Sequence, residues 1–129
     1  MKIDKDELKK RLTDIQFKVT QEKGTEKPFT GEYNKFYEEG IYDCIVCGRS
    51  LFNSGTKFDS GCGWPAFYDV FNTDNVTFTE DNSFGMKRVE VNCKCGSHLG
   101  HVFNDGPSNQ NNGTRHCINS ASLKFKKKE

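Results

Sequence analysis

Apolar positions along this chain follow two different spacings. Near the start, Leu8, Leu12 and Ile15 recur at the intervals that gather side chains on one face of an α-helix. Asp4 heads that stretch with Glu7 three residues on, and Ile3 and Leu8 can staple across the cap. Thr20 to Thr30 carries charges, Gly24 and Pro28, and reads as a linking arm. Tyr33 to Glu38 predicts a short second helix ended by Gly40. From Ile41 onward the spacing turns to alternation. Val76 and Phe78, then Val89 and Val91, alternate with polar residues as half-buried strands do. His98 to Phe103 and Leu123 to Phe125 are further strand candidates. Turn signals separate them at Gly48, Asn53–Gly55, Asp74–Asn75, Asp81–Ser83 and Asp105–Pro107. Ser108 to Thr114 is a polar, Asn-rich loop, and no repeat is present. The pattern predicts an antiparallel, mainly β domain with a small helical cover at its N-terminus.

Composition sharpens this. A chain of 129 residues fits one domain, 1–129. Only 33% of residues are hydrophobic and the mean hydropathy is −0.79, yet there are 11 phenylalanines. A lean aromatic core, held in part by a metal, suits those numbers better than a leucine-rich bundle. The net charge of +1 supplies no field that would draw nucleic acid or a membrane surface. The basic run Lys124 to Lys128, interrupted by Phe125, reads as a solvated tail. No apolar run approaches the ~20 residues of a membrane span, and Met1 to Lys10 lacks the apolar stretch of a signal peptide. A cytoplasmic location is expected, where six cysteines argue for metal and redox work rather than a disulfide framework.

The cysteines fall into two close pairs and two single residues. Cys44-Ile45-Val46-Cys47-Gly48 has the spacing and trailing glycine of a zinc knuckle. Cys93-Lys94-Cys95-Gly96 resembles a second knuckle with one residue fewer between its thiols. On an extended strand residues two apart point the same way, so side-chain rotation can bring these sulfurs to the separation of about 3.8 Å that tetrahedral zinc requires. The expectation is a zinc knuckle pair with one structural zinc on Cys44, Cys47, Cys93 and Cys95; the alternative is unmetallated thiols.

Cys117, in Arg115-His116-Cys117-Ile118-Asn119-Ser120, is either a buried structural thiol or a reactive one whose thiolate Arg115 favours. Asn119 can share its face of a strand. Cys62 sits between two glycines in Ser60-Gly61-Cys62-Gly63-Trp64-Pro65, an approachable loop thiol. His98 and His101 are acid–base groups, metal ligands or satisfied surface residues; four cysteines already fill a zinc shell. His116 adjoins Cys117, but adjacent strand residues face opposite sides, which argues against its being the base. Trp64 is a core residue or an aromatic wall for a small apolar group.

Taken together, three segments resemble the methionine-R-sulfoxide reductases of the B type: Lys57 to Phe67 with Ser60-Gly61-Cys62-Gly63-Trp64-Pro65 at its centre, His98-Leu99-Gly100-His101-Val102-Phe103-Asn104-Asp105-Gly106-Pro107, and Arg115 to Phe125. The match runs from about residue 4 to 125 in the same order. The resemblance implies two antiparallel β sheets with N-terminal helices. It implies a thiol-dependent oxidoreductase that reduces the R epimer of methionine sulfoxide, protein-bound or free, with thioredoxin as reductant. Cys117 matches the nucleophile and Cys62 the resolving cysteine. His98, His101, Asn119, Trp64 and Phe103 match substrate-site positions, and the other four cysteines match the zinc-binding subgroup. In this reading His101 donates the proton with help from His98, while Trp64 and Phe103 pack the terminal methyl. A monomer without nucleic-acid or membrane partners is expected. The chain departs from the family pattern at the short Cys93–Cys95 spacing, at His116, which stands where Tyr or Phe is usual, and at the slightly long Asn-rich loop before it; the last two are expected to alter substrate access or the preference for protein-bound over free sulfoxide. A zinc-ribbon binding module is the non-enzymatic alternative, and a Cys-His hydrolase the rival chemistry.

Overall fold

The helical spacing near the N-terminus produces two short helices, not one. In the computed structural model, which describes residues 4–59, 61–82, 85, 88–103 and 114–128, α1 spans Lys5–Arg11 and α2 spans Asp14–Gln21. Asp4 caps α1 as expected, accepting the N–H groups of Asp6 and Glu7 at 3.0 and 3.3 Å. The helix stops at Leu12 because Thr13 and Gln16 form a reciprocal capping box, which starts a new helix on a new axis. Leu8 and Leu12 are buried, but Ile15, beyond the break, is 45% exposed. Residues 33–38 form no helix: 32–35 are turns, and buried Tyr33 packs edge-on against Phe36 and Tyr42, each at 5.4 Å. A six-residue stretch gains too few backbone bonds to offset helix nucleation. Ile3, Ser83, the Asp105–Pro107 turn and all but Thr114 of the 108–114 loop lie outside the described residues.

The remainder is mainly β, in two antiparallel sheets, as expected. The smaller has the order β2-β1-β9, with β1 Gly40–Cys44, β2 Ser50–Asn53 and β9 Leu123–Lys127. The larger has the order β3-β4-β8-β7-β6-β5, from β3 Lys57–Phe58, β4 Ala66–Phe67, β5 Val76–Asp81, β6 Arg88–Cys93, β7 His98–Phe103 and β8 Arg115–Ile118. The basic run is therefore strand, not tail: residues 123–127 pair with β1, and Phe125 faces Tyr42.

The sheets enclose an aromatic core. Phe52 stacks on Phe67 at 4.4 Å, and Tyr42 meets Phe67 edge-on at 5.2 Å. Leu51, Val91, Leu99, Ile118 and Leu123 complete its buried floor. These contacts hold β8 against the smaller sheet by its inner face, leaving the outer face of the larger sheet for other work.

Candidate active site and metal centre

Register decides which side chains share that outer face. Cys117 stands opposite His101 on β7 and Ala66 on β4, and His101 stands opposite Glu90 on β6. Directly opposed residues project to the same side, so Cys117, His101 and Glu90 form one row. Arg115 and Phe103, opposed one step further along, lie beside it. His116 points the other way. It is 3% exposed, donates its Nδ1–H to the Phe67 carbonyl at 3.0 Å, and sits near the rings of Phe52 and Phe78. Thus His116 is a core residue on the inner face of β8, turned away from the row that carries Cys117.

His98 and His101 are three apart and in a regular strand would face opposite sides. A one-residue bulge removes that obstacle. Val91 pairs with Gly100 but Asn92 pairs with His98, so Leu99 is the extra residue. His98 is thereby turned onto the row, its ring 5.7 Å from that of His101. Each histidine meets a carboxylate: His98 Nδ1 lies 2.9 Å from Glu90 Oε1, and His101 Nε2 lies 2.8 Å from Asp81 Oδ2. Lys23 and Arg88 approach those carboxylates at 3.6 and 3.4 Å. Burial draws the pKa of His98 below the ordinary histidine value, against the opposing pull of Glu90.

The loop between β3 and β4 carries Cys62 over the same row, its sulfur 3.3 Å from Cys117 Sγ. A disulfide sulfur pair stands at about 2.05 Å, so closing the bond needs only a small side-chain movement. Trp64 follows, with its indole N–H on the Glu26 carbonyl at 3.0 Å. Asn119 donates through both its backbone N and its Nδ2 to the Leu99 carbonyl, each at 2.9 Å, and accepts the Glu26 N–H at 2.9 Å. Cys62, Trp64, His101, Phe103, Cys117 and Asn119, with Thr25, Arg88, Gly100 and Arg115, line a cleft of about 220 Å³. The structure thus gathers every expected catalytic and substrate-site residue except His98 into the lining, and His98 sits beside His101 behind it. Arg115 favours a Cys117 thiolate as expected, but the hydrogen bond to Cys62 and then burial outweigh it and push the thiol upward.

The other four cysteines form a separate cluster where the sheets meet the helices. Their sulfurs all lie within 4.8 Å of one another, with Cys47–Cys93 at 3.4 Å and Cys44–Cys95 at 4.0 Å. Those separations straddle the value of about 3.8 Å set by tetrahedral coordination at ~2.3 Å per sulfur, so the donor set fits a thiophilic metal ion. The short second pair does not lie along one extended strand: Cys93 ends β6 and Cys95 sits in the turn that follows. It lies in a tight hairpin: Cys93 N bonds Ser97 O at 2.8 Å, Gly96 N bonds Cys93 O at 2.8 Å, and Gly96 has φ +96°. That is the compact turn-plus-glycine loop of a hairpin. It turns Cys95 back toward Cys93 where a longer knuckle would use an additional residue. The helices brace the cluster. Arg11 donates to the carbonyls of Ile45 and Val46 at 2.9 and 3.0 Å, and Gln21 Nε2 donates to Ser97 Oγ at 3.2 Å.

Comparison with known proteins decides the family. A SelR domain matches residues 12–127. Peptide methionine sulfoxide reductase MsrB of Methanosarcina mazei is 57% identical over 133 residues, covering 99% of this chain and 92% of that protein. The chain belongs to the SelR family. Methionine-R-sulfoxide reductase B3, mitochondrial, of Mus musculus is 60% identical over 120 residues, 92% of this chain. The chain spans about half the length of that mouse relative, 47%. MsrB of Burkholderia thailandensis is 52% identical over 123 residues, 95% of this chain and 85% of its own length. The resemblance to the B-type reductases read from the three segments is borne out. Among the described residues no helix is long and apolar enough to cross a membrane.

Sequence reasoning missed several residues of this SelR site. Glu90, Asp81 and Glu26 each anchor a site residue, yet they carry no motif spacing that could reveal them. Gly100 is another, and here the reason is close approach. A Cβ there would collide with the Cys117 carbonyl and come within 3.0 Å of Ile118 Cα. Gly100→Ala should therefore push β8 off β7 and misplace Cys117. Displacements of about 1 Å can cost roughly 100-fold in rate, so kcat/KM should fall on that scale with most of the fold retained by circular dichroism. Unchanged kcat/KM would show that the two strands tolerate the wider spacing.

Proposed function

We propose that this protein is a peptide-methionine (R)-S-oxide reductase, reducing methionine R-sulfoxide to methionine through Cys117 and Cys62. The observation that carries the reading is the sulfur pair at 3.3 Å on the floor of a cleft walled by Trp64, Phe103, His101 and Asn119. The two aromatics suit the terminal methyl of the substrate, and Asn119 holds the polar end of the cleft. Substrate entering between Cys117 and Cys62 breaks their hydrogen bond. That removes the largest influence raising the Cys117 thiol, so that Arg115 favours the thiolate against burial without the added pull of the Cys62 hydrogen bond.

The Cys117 thiolate attacks the electrophilic sulfoxide sulfur while His101, poised by Asp81, supplies a proton to the oxygen. His98, fixed by Glu90, orients the neighbouring imidazole and its water. The oxygen passes to Cys117, giving a sulfenic acid and releasing methionine; sulfur of the substrate gains two electrons and Cys117 loses them. The Cys62 thiol then displaces water from the sulfenic acid, forming the Cys62–Cys117 disulfide. A dithiol protein of the thioredoxin class restores both thiols by exchange.

Substrate is oxidised methionine, in proteins or free, and the chain 1–129 acts as one cytoplasmic, monomeric domain. Cys44, Cys47, Cys93 and Cys95 would hold one structural Zn²⁺, which would cross-link the sheets to the helices apart from the oxygen-transfer cleft. Neither a zinc-ribbon binding module nor a Cys-His hydrolase accounts for a second thiol in contact with the first.

Turnover of separate R and S sulfoxides with a dithiol tests the proposal. Consumption of the R epimer alone is the expected result; an equal rate for the S epimer, or product without dithiol consumption, removes it. Cys62→Ser separates the steps further. One equivalent of methionine should still form, thioredoxin-driven cycling should fall by about 10-fold or more, and small thiols should restore it. Unaltered thioredoxin-driven cycling would take Cys62 out of the mechanism.

A further inference from the structure

Glu26 is buried, 4% exposed, in the strap that leads from α2 toward β1. Its backbone meets two cleft residues from distant parts of the chain. The N–H donates to Asn119 Oδ1 at 2.9 Å, and the carbonyl accepts the Trp64 indole N–H at 3.0 Å. Its side chain reaches a third segment, where Oε1 accepts the Ala121 N–H at 2.8 Å in the turn Ser120–Ser122. Oε2 is buried and, among the described residues, has no hydrogen-bond partner. It lies beside Ser120 Oγ, in a crevice where a Cβ on Gly31 would collide with both atoms. Thr25, the preceding residue, lines the cleft itself.

We propose that Glu26 is a positioning residue for methionine sulfoxide: its carboxyl pins the strap to the Ser120–Ser122 turn, so that its backbone holds Trp64 and Asn119 at a fixed separation across the cleft. The inference rests on the reductase reading and deepens it. The side-chain bond to Ala121 adds to the backbone bond with Asn119 in tying the strap to the segment that follows the strand carrying Cys117, and the bond to Trp64 inherits that placement. An ordinary core residue at this position would pack the crevice but leave the Ala121 N–H unsatisfied and the strap free to slide. A carboxyl is costly to bury as an anion without a cation. Burial raises the pKa of this one above the ordinary carboxylate value, against the hydrogen bond from the Ala121 N–H. The bond that fixes the strap needs one acceptor oxygen toward Ala121, and glutamine also supplies that.

The test compares Glu26→Gln, Glu26→Ala and Ser120→Ala in the full, metal-loaded chain. Four quantities are read: KM and kcat for methionine R-sulfoxide with a small dithiol, the R-over-S preference, bound metal, and tryptophan emission. Trp64 is the only tryptophan, so emission reports its position directly. Glu26→Ala should raise KM about tenfold, lower kcat less, weaken the R preference and shift emission to the red, with metal retained. Glu26→Gln should stay within about threefold of the parent on each count. Should Glu26→Ala not fold, Ser120→Ala must show a smaller KM rise with the same emission shift. The proposal is overturned by unchanged KM and emission in folded Glu26→Ala, or in Ser120→Ala where that variant is the one read. It is equally overturned by Glu26→Gln failing as badly as Glu26→Ala, which would assign the residue a charged role. A parent protein inactive on the R epimer would defeat the reductase reading instead, and the emission shift would still report the strap.

Discussion

Cys117→Ser should lose at least about a thousandfold in turnover while keeping its fold and its metal. Cys117 sits on β8 between β4 and β7, paired on both sides, and its outer-face position makes no contribution to the aromatic core behind it. Serine fits the same space, so circular dichroism and melting should barely change. Chemistry is lost because a hydroxyl does not become an anionic nucleophile near neutral pH and cannot accept the sulfoxide oxygen as a sulfenic acid does. The decisive measurement is methionine formed in a single turnover without added thiol. The parent should give one equivalent and the variant none. Retention of more than about a few per cent of the parental rate would place the attacking sulfur elsewhere, with Cys62 the obvious successor.

How far the sequence made this legible varies from residue to residue. Alternation located β5 and β6, although Phe78 on the edge strand is 47% exposed where half-burial was expected. Local capping competed with periodicity at the N-terminus. Leu8, Leu12 and Ile15 look continuous, but the Thr13–Gln16 capping box satisfies the backbone better than uninterrupted helix, and it was present in the residues all along. The cysteine and histidine segments were legible as a set because their joint order is unusual. Their geometry was not. His98 and His101 share a face only through the Leu99 bulge, and a bulge is a property of two paired strands that neither strand announces alone. Glu26 to Asn119, Glu26 to Trp64 and Asp81 to His101 are pairings between residues far apart in the chain. Such contacts follow from register and packing, so a single sequence without periodic signal cannot yield them. The raised Cys117 thiol has the same origin, because its cause is a sulfur on a different loop.

Removing any one of Cys44, Cys47, Cys93 or Cys95 should release the metal and unfold the protein at a markedly lower temperature. Hydrogen bonds to Cys93 and Cys95, then burial, push the Cys44 thiol strongly upward. A divalent ion on the four sulfurs would let all of them ionise and would tie β1, the β6–β7 hairpin and, through Arg11 and Gln21, both helices into one unit. The remaining core is lean, with 33% hydrophobic residues. A cost of about 3 kcal/mol or more and a fall in Tm of roughly 10 °C are therefore expected for Cys95→Ser. Metal analysis should give one zinc per chain for the parent and for Cys117→Ser, and none for Cys95→Ser. His98 is poorly placed as a substitute ligand, because it pairs with Asn92 on the face that carries Glu90, while Cys93, the next residue, faces the other way. A parent chain fully folded without metal, or Cys95→Ser that retains zinc until His98 is also replaced, would show that the three-residue hairpin loop does not close the site.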